Sequence, residues 1–340
     1  VNGENTRHAL RVTRHALRIT HHAFKEKEML KNKKLLLVCF LIFMFFFKEQ
    51  TFSKEKNIKK EQKIKNKIAF VQQNNLWIAN PDGTEQKQLT QTCDVFEPSW
   101  SPDGKSILFV SGRKIWKYDF ATGKSVKFID MPGYCISPSY SLDGKKIIFT
   151  HESNVWDYFL GQNRTEICVA SADGTGAHVL VKAGETMMNY PKFFPGGEDI
   201  LFNELRSEKI SSYLATYNFS SRKIEYLNSE SGWLSSDFSP DENFLVAGWY
   251  SYEKGGELRM ISLKTLGVMK LIAKTKGCQF TSPSFSPYGD KIVFEKDYFS
   301  SNKQTFLSYG IYVMNSDGSG ITEIIPDASE PDWLQLVTGD

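Results

Sequence analysis

The residues that can do chemistry are few and scattered. Beyond residue 67 the chain holds two histidines, His151 and His178. Two imidazoles ligate a metal only with carboxylate help, and neither stands in a His-Glu-x-x-His or paired-histidine spacing. Both read as surface residues, and no metal site is expected. Asp-Gly pairs recur without a D-x-D-x-D run, so turn geometry explains them better than calcium. A P-loop, a Gly-x-Gly-x-x-Gly run and a Gly-x-Ser-x-Gly elbow are all missing, which removes the residues of nucleotide and serine-hydrolase chemistry. What remains for catalysis is a pair of carboxylates converging within about 6–9 Å, for which Asp94, Glu97 and Glu185 are the candidates. No catalytic, cofactor-binding or metal-binding residue is assigned, and no cofactor is expected.

The charge is divided between two pieces. Residues 1–67 carry 17 Lys/Arg against 6 Asp/Glu, whereas the rest of the chain has a balance of −8. An acidic body offers no field to nucleic acid, whose binding leans on phosphate neutralisation. In the basic piece, RHALRVTRHALRIT doubles a seven-residue unit. It reads either as an amphipathic helix at a membrane surface or as translated upstream sequence (1–28), the reading favoured here. Met29 then opens a positive stretch and a 13-residue apolar run, Leu35 to Phe47. Helical, that run spans about 20 Å, short of the roughly 30 Å of a hydrocarbon core. Residues 29–53 are therefore expected to be a signal peptide or signal anchor; left uncleaved, residues 35–47 would tether the chain to the membrane. A Lys-rich linker (54–67) follows.

The body repeats itself. PSWSPDGKSILFV (98–110) returns as PSYSLDGKKIIFT (138–150), PKFFPGGEDILFN (191–203), SDFSPDENFLVAG (236–248) and PSFSPYGDKIVFE (283–295). A second phrase follows in most units, as in ICVASADGTG and IYVMNSDGSG. Short β-branched and aromatic runs bounded by Asp-Gly turns are buried strands joined as hairpins. A four-stranded unit of 40–50 residues repeated in this way predicts a β-propeller. The body starts at IAFV, a second strand without a first, and stops at EPDWLQL, a first strand without a second. Joining them completes one blade and leaves no free edge. The expectation is an all-β, six-bladed propeller over 68–336, with a short tail at 337–340.

The phrases PSWSPDGK and IYVMNSDGSG resemble the TolB-like propeller repeat, a WD-like repeat of bacterial envelope proteins. The resemblance covers 68–336 without the α/β domain that precedes the propeller in TolB. It implies a protein-binding platform outside the cytoplasm, periplasmic or anchored to the inner membrane, with an envelope protein or peptide as partner. Propellers of this kind also serve as carbohydrate-active enzymes and as gating domains of serine peptidases, so a channel-sited hydrolase or lyase acting on carbohydrate or peptide is the alternative.

Strand order predicts where a partner binds. The turns joining first to second and third to fourth strands are tight and offer little. The opposite end gathers Phe96, Tyr134, Tyr190, Trp233 and Phe280 just before first strands, and Trp156 and Tyr158 in the long insertion 152–165. A second insertion covers 296–310. Loop aromatics bring large, rigid contact area, and these seven residues are the expected partner-binding face. Cys93, Cys135 and Cys278 precede first strands at equivalent points. A disulfide between Cys93 and Cys135 is one reading, although equivalence in a repeat does not by itself bring thiols within bonding distance. Cys168 falls in a strand and reads as a buried thiol.

Overall fold

The computed structural model describes residues 66–335 apart from 92–93, 159–160, 185, 198, 207–210, 228, 252, 266 and 301–305. The leader, signal and tail expectations, residues 54–65 of the linker, and Glu185 lie outside the described residues; Lys67, placed in the linker, is buried instead and donates to Asn80 Oδ1 at 2.5 Å. Within them the chain forms 24 strands in six antiparallel four-stranded sheets.

Blade one takes β1 (Ile68–Gln72), β2 (Asn75–Ala79) and β3 (Lys87–Gln88) from the start, and β24 (Ala328–Trp333) from the end. β24 pairs antiparallel with β1, Ile68 opposite Trp333 and Gln72 opposite Ala328. The shared blade expected from the two incomplete repeats is thus the observed closure. Blades two to six run in simple order: β4–β7 within 95–127, β8–β11 within 135–181, β12–β15 within 186–226, β16–β19 within 233–275 and β20–β23 within 278–326.

The core is a set of seams between neighbouring blades. In β5 (Ser106–Ser111), Ile107 and Phe109 pack toward blade one with Val71 and Leu76, while Leu108 packs toward blade three with Ile147 and Phe149. Side chains of a strand alternate between faces, and both faces of an interior propeller strand are covered. That is why these strands read as unbroken apolar runs rather than as alternation. Six such seams close on themselves, the last joining Phe70 and Trp333 of blade one to Val293 and Ile311 of blade six.

The repeated Ser-x-Asp-Gly is a turn. Asp143 accepts from the Ser141 hydroxyl at 2.7 Å and the Lys145 N–H at 3.0 Å, while the Gly144 N–H bonds Ser141 O at 2.8 Å with φ +66°. Equivalent bonds recur at Ser101–Asp103 and Ser239–Asp241. The outer Asp-Gly turns also lock blades together. A Cβ on Gly83 would lie 2.2 Å from Ile324 O, and one on Gly174 2.7 Å from Phe128 O.

The described residues of the two long insertions are largely strand rather than loop. β9 (Lys146–Asp157) pairs with β10 (Gln162–Ser171) along nearly its full length, and β21 (Lys291–Phe299) with β22 (Phe306–Asn315). The hairpins of blades three and six simply extend past the body of the sheet, because ladder bonds continue wherever both partners stay extended.

Candidate functional site

Every first strand carries a register shift near its middle, for example between Phe96 and Ser99, Ile136 and Ser139, and Thr281 and Ser284. In five blades it falls at a residue–proline pair, since proline has no N–H to give the ladder. The residue before each proline takes a positive φ: Glu97 +51°, Ser137 +51°, Tyr190 +53°, Ser282 +47° and Glu330 +53°. These kinks turn polar side chains toward the axis, where they bridge blades.

One layer forms around the residues before proline. Glu295 Oε2 accepts the Glu330 N–H at 2.9 Å, Glu330 Oε2 accepts the Glu97 N–H at 2.5 Å, and Glu97 accepts the Ser137 N–H at 2.6 Å and its hydroxyl at 3.0 Å. Across the ring, Ser235 Oγ accepts the Ser282 N–H at 2.6 Å. A second layer uses the residues after proline. Asp332 accepts the Trp100 N–H at 2.7 Å, Asp237 the Phe285 N–H at 3.0 Å, and Ser284 Oγ the Trp333 N–H at 3.0 Å. Lys192 Nζ donates to Asp237 at 2.6 Å. The bulge frees these backbone donors from the ladder, and the neighbouring blade supplies the acceptors.

The result is an acidic axis. Burial raises the Glu97 carboxyl. Burial, with repulsion from Glu97, pushes Glu330 up to about 7. Asp332 also rises to about 7 because burial outweighs the attraction of Lys192 and the Trp100 N–H. Glu295 and Asp297 are both raised, chiefly by burial, and share one hydrogen bond. Lys192 is held above its ordinary value: burial works against its charge, and Asp237 and Asp332 outweigh it.

This has a consequence for stability. Glu330 and Asp332 titrate near 4 in an unfolded chain, so between about 4 and 7 the folded state binds more protons and stability falls as pH rises. The turn aspartates act in a separate window. Hydrogen bonds from Ser141 and Lys145 lower Asp143, and those from Thr175 lower Asp173. Their contribution is complete above about 4 and is lost as pH falls below it. The thermal midpoint is therefore expected to be highest near pH 5 and lower at pH 8 by about 5 °C, with the difference reduced in Asp332→Asn; a calorimetric pH series checks this.

Between the prolines and the turns after the first strands lies a cavity of about 230 Å³, lined by Tyr190, Lys192, Asp237, Glu330, Asp332 and Leu142 among others. It opens toward the end that was expected to offer little. Tight turns leave the mouth of the channel uncovered, and the first strands supply the lining.

The expected face divides. Phe96, Tyr134, Trp156, Tyr158 and Tyr190 are exposed, Tyr158 by 90%. Tyr190 lies within the channel lining rather than on a loop. Trp233 and Phe280 are buried and are corrected here to core residues: Trp233 packs with Leu201 and Leu245, and Phe280 meets Phe294 edge-on at 5.7 Å. Both belong to first strands, β16 (Trp233–Phe238) and β20 (Cys278–Phe285), which begin earlier than the repeat phrase suggests. Of the candidate acids, Asp94 caps a turn through the Ser111 hydroxyl and Gly112 N–H, while Glu97 lies in the channel. The acids that do converge on the axis, Glu295, Glu330, Asp237 and Asp332, flank the strand kinks. Only Glu330 and Asp332 carry a signal in the sequence, a polar residue on either side of proline inside an otherwise buried strand; Asp237 follows the proline-free kink of β16, and Glu295 lies on β21 opposite Thr281. Cys135 and Cys278 are buried free thiols, as is Cys168, so Cys135 does not form the considered disulfide; Cys93 lies outside the described residues. His178 is exposed, with Nδ1 2.8 Å from Gly176 O. His151 is half-buried against Glu166, not a plain surface residue.

No family model matches the chain. A stretch is 43% identical over 67 residues to the Tol-Pal system protein TolB of a Polaromonas species, covering 17% of this chain and 16% of that relative. The structure resembles TolB from Acinetobacter baumannii with TM-score 0.64 at 22% identity, over 79% of this chain and 67% of that one. It also resembles an oligogalacturonate lyase solved in complex with manganese, with TM-score 0.53 at 15% identity, over 74% and 70%. The chain therefore folds as a six-bladed β-propeller closed by β24, a fold it shares with TolB.

Proposed function

We propose that the chain is a non-catalytic, exported binding platform that docks an envelope protein or peptide. The observation that carries this is the set of large exposed side chains at one end of blades two and three. Phe96 is the second residue of β4 (Val95–Trp100), Tyr134 precedes β8 (Cys135–Tyr140), and Trp156 and Tyr158 stand on the extended β9–β10 hairpin, all at the same end of their sheets. Aromatic rings on a rigid hairpin lose little entropy on binding. The likeness to TolB supports an extracytoplasmic location and a protein partner, and the acidic body argues against nucleic acid. The channel cavity is smaller than the roughly 300–1,000 Å³ of ordinary ligand sites, which suits an inserted side chain better than a sugar chain.

A photo-crosslinking residue placed at Trp156 or Tyr158 is expected to capture a partner in envelope preparations, and one at Leu142, on the opposite end, to capture none. Capture from Leu142 alone would put the partner at the cavity mouth and refute the proposed face.

The enzymatic alternative rests on the hydrogen-bonded Glu295–Asp297 pair and on the lyase likeness. Turnover of acidic oligosaccharides that disappears in Glu295→Gln would establish it.

A further inference from the structure

A polar cluster away from the axis lies in the seam between blades two and three. His151, Glu166 and Cys168 present a ring nitrogen, a carboxylate oxygen and a sulfur, all within 4.8 Å of one another. Register explains the grouping. Cys135, His151 and Glu166 are direct partners across β8 (Cys135–Tyr140), β9 and β10, and Cys168 follows two residues along β10 on the same face. The His151 and Glu166 side chains are 13% and 15% exposed, and Cys168 is fully buried.

The hydrogen bonds around His151 determine which nitrogen carries hydrogen. Nε2 lies 2.8 Å from the Pro132 carbonyl, which can only accept, so Nε2 donates. In a neutral ring Nδ1 then holds a lone pair, yet it faces Glu166 Oε1 at 3.0 Å. Two lone pairs at that distance repel unless a proton or a metal ion stands between them. A proton satisfies the pair and gives Cys168 no part. A divalent cation uses all three donors, and one thiolate with one carboxylate neutralises its charge. A carbonyl behind the second ring nitrogen is the usual outer bond of a metal-ligating histidine. The mixed sulfur, nitrogen and oxygen set fits zinc and excludes the all-oxygen preference of calcium and magnesium.

We propose that His151 Nδ1, Glu166 and Cys168 form a zinc site, binding the ion with release of the thiol proton and any Nδ1 proton to solvent. The site stands at the base of the extended hairpin that bears Trp156 and Tyr158, and a bound ion would tie β9 to β10 there. No motif spacing marks it, because the ligands meet across a hairpin rather than along one strand or helix. It is independent of the proposed docking face.

Cobalt(II) is the probe, added to the full chain after chelator treatment and reduction. A thiolate-to-cobalt charge-transfer band is expected, saturating at one equivalent and abolished by added zinc. Cys168→Ser should lose the band, His151→Ala and Glu166→Gln should weaken binding by about tenfold or more, and Cys135→Ser should retain it. The band, not total cobalt, is the readout, since His8, His15, His21 and His22 of the leader can hold metal without this thiol. Circular dichroism on each metal-free variant establishes folding, and Cys168→Ala replaces Cys168→Ser if the hydroxyl is not tolerated. No band from the folded wild-type chain at saturating cobalt, or a band that survives loss of the Cys168 thiol, overturns the site.

Discussion

A chain ending at residue 327 is expected to lose cooperative unfolding. Among the described residues β24 is the only first strand available to blade one, and it touches both neighbours. Trp333 fills the seam with blade six, while Glu330 and Asp332 accept N–H groups from Glu97 and Trp100 of blade two. Without it the β1 edge lies open along Ile68 and Phe70, an invitation to aggregation. The ring also loses the bond that converts six marginal sheets into one closed structure. The milder variant Trp333→Ala keeps the strand and removes its anchor, which is 2% exposed and donates its indole N–H to Asn66 at 2.7 Å. It should cost about 3–5 kcal/mol, lowering the thermal midpoint by roughly 10 °C. Scanning calorimetry on both chains checks the closure; a truncated chain with an unchanged midpoint and no aggregation would refute it.

Trp233→Ala should be as damaging, and for a reason the sequence concealed. The ring is fully buried, its N–H bonds Glu230 O at 3.0 Å, and Arg259 lies 5.5 Å from the ring centroid. Arg259 is itself held by Glu257 and by Trp249 at 3.9 Å. Removing Trp233 leaves a cavity and uncovers a buried cation, so a loss of about 3–5 kcal/mol is expected. Trp156→Ala, on the exposed hairpin, should change stability by no more than about 0.5 kcal/mol. Paired denaturation curves test the contrast. Equal effects would mean that the hairpin aromatics pack as core.

The architecture was legible in the order of residues alone. Apolar runs of four to five residues between Asp-Gly turns, returning every 40–53 residues, left few options but a propeller. The incomplete repeats at its two ends specified how the ring closes. Local chemistry was equally legible: Asp103 and Asp143 sit in the turns their neighbours required, because turn bonding is decided within four or five residues. What lay across blades was not legible. Phe96 and Trp233 occupy similar places in the repeat, yet one is 40% exposed and the other buried, since burial there depends on the neighbouring blade. The acids of the axis are far apart in sequence, Glu97 from Glu330 and Asp237 from Asp332, and only the radial arrangement brings them together. The same holds for His151, Glu166 and Cys168, which share a face because the register of one hairpin places them there. Periodicity fixes which elements form and how they close; the groups that meet across them are decided by tertiary packing, where sequence separation no longer measures distance.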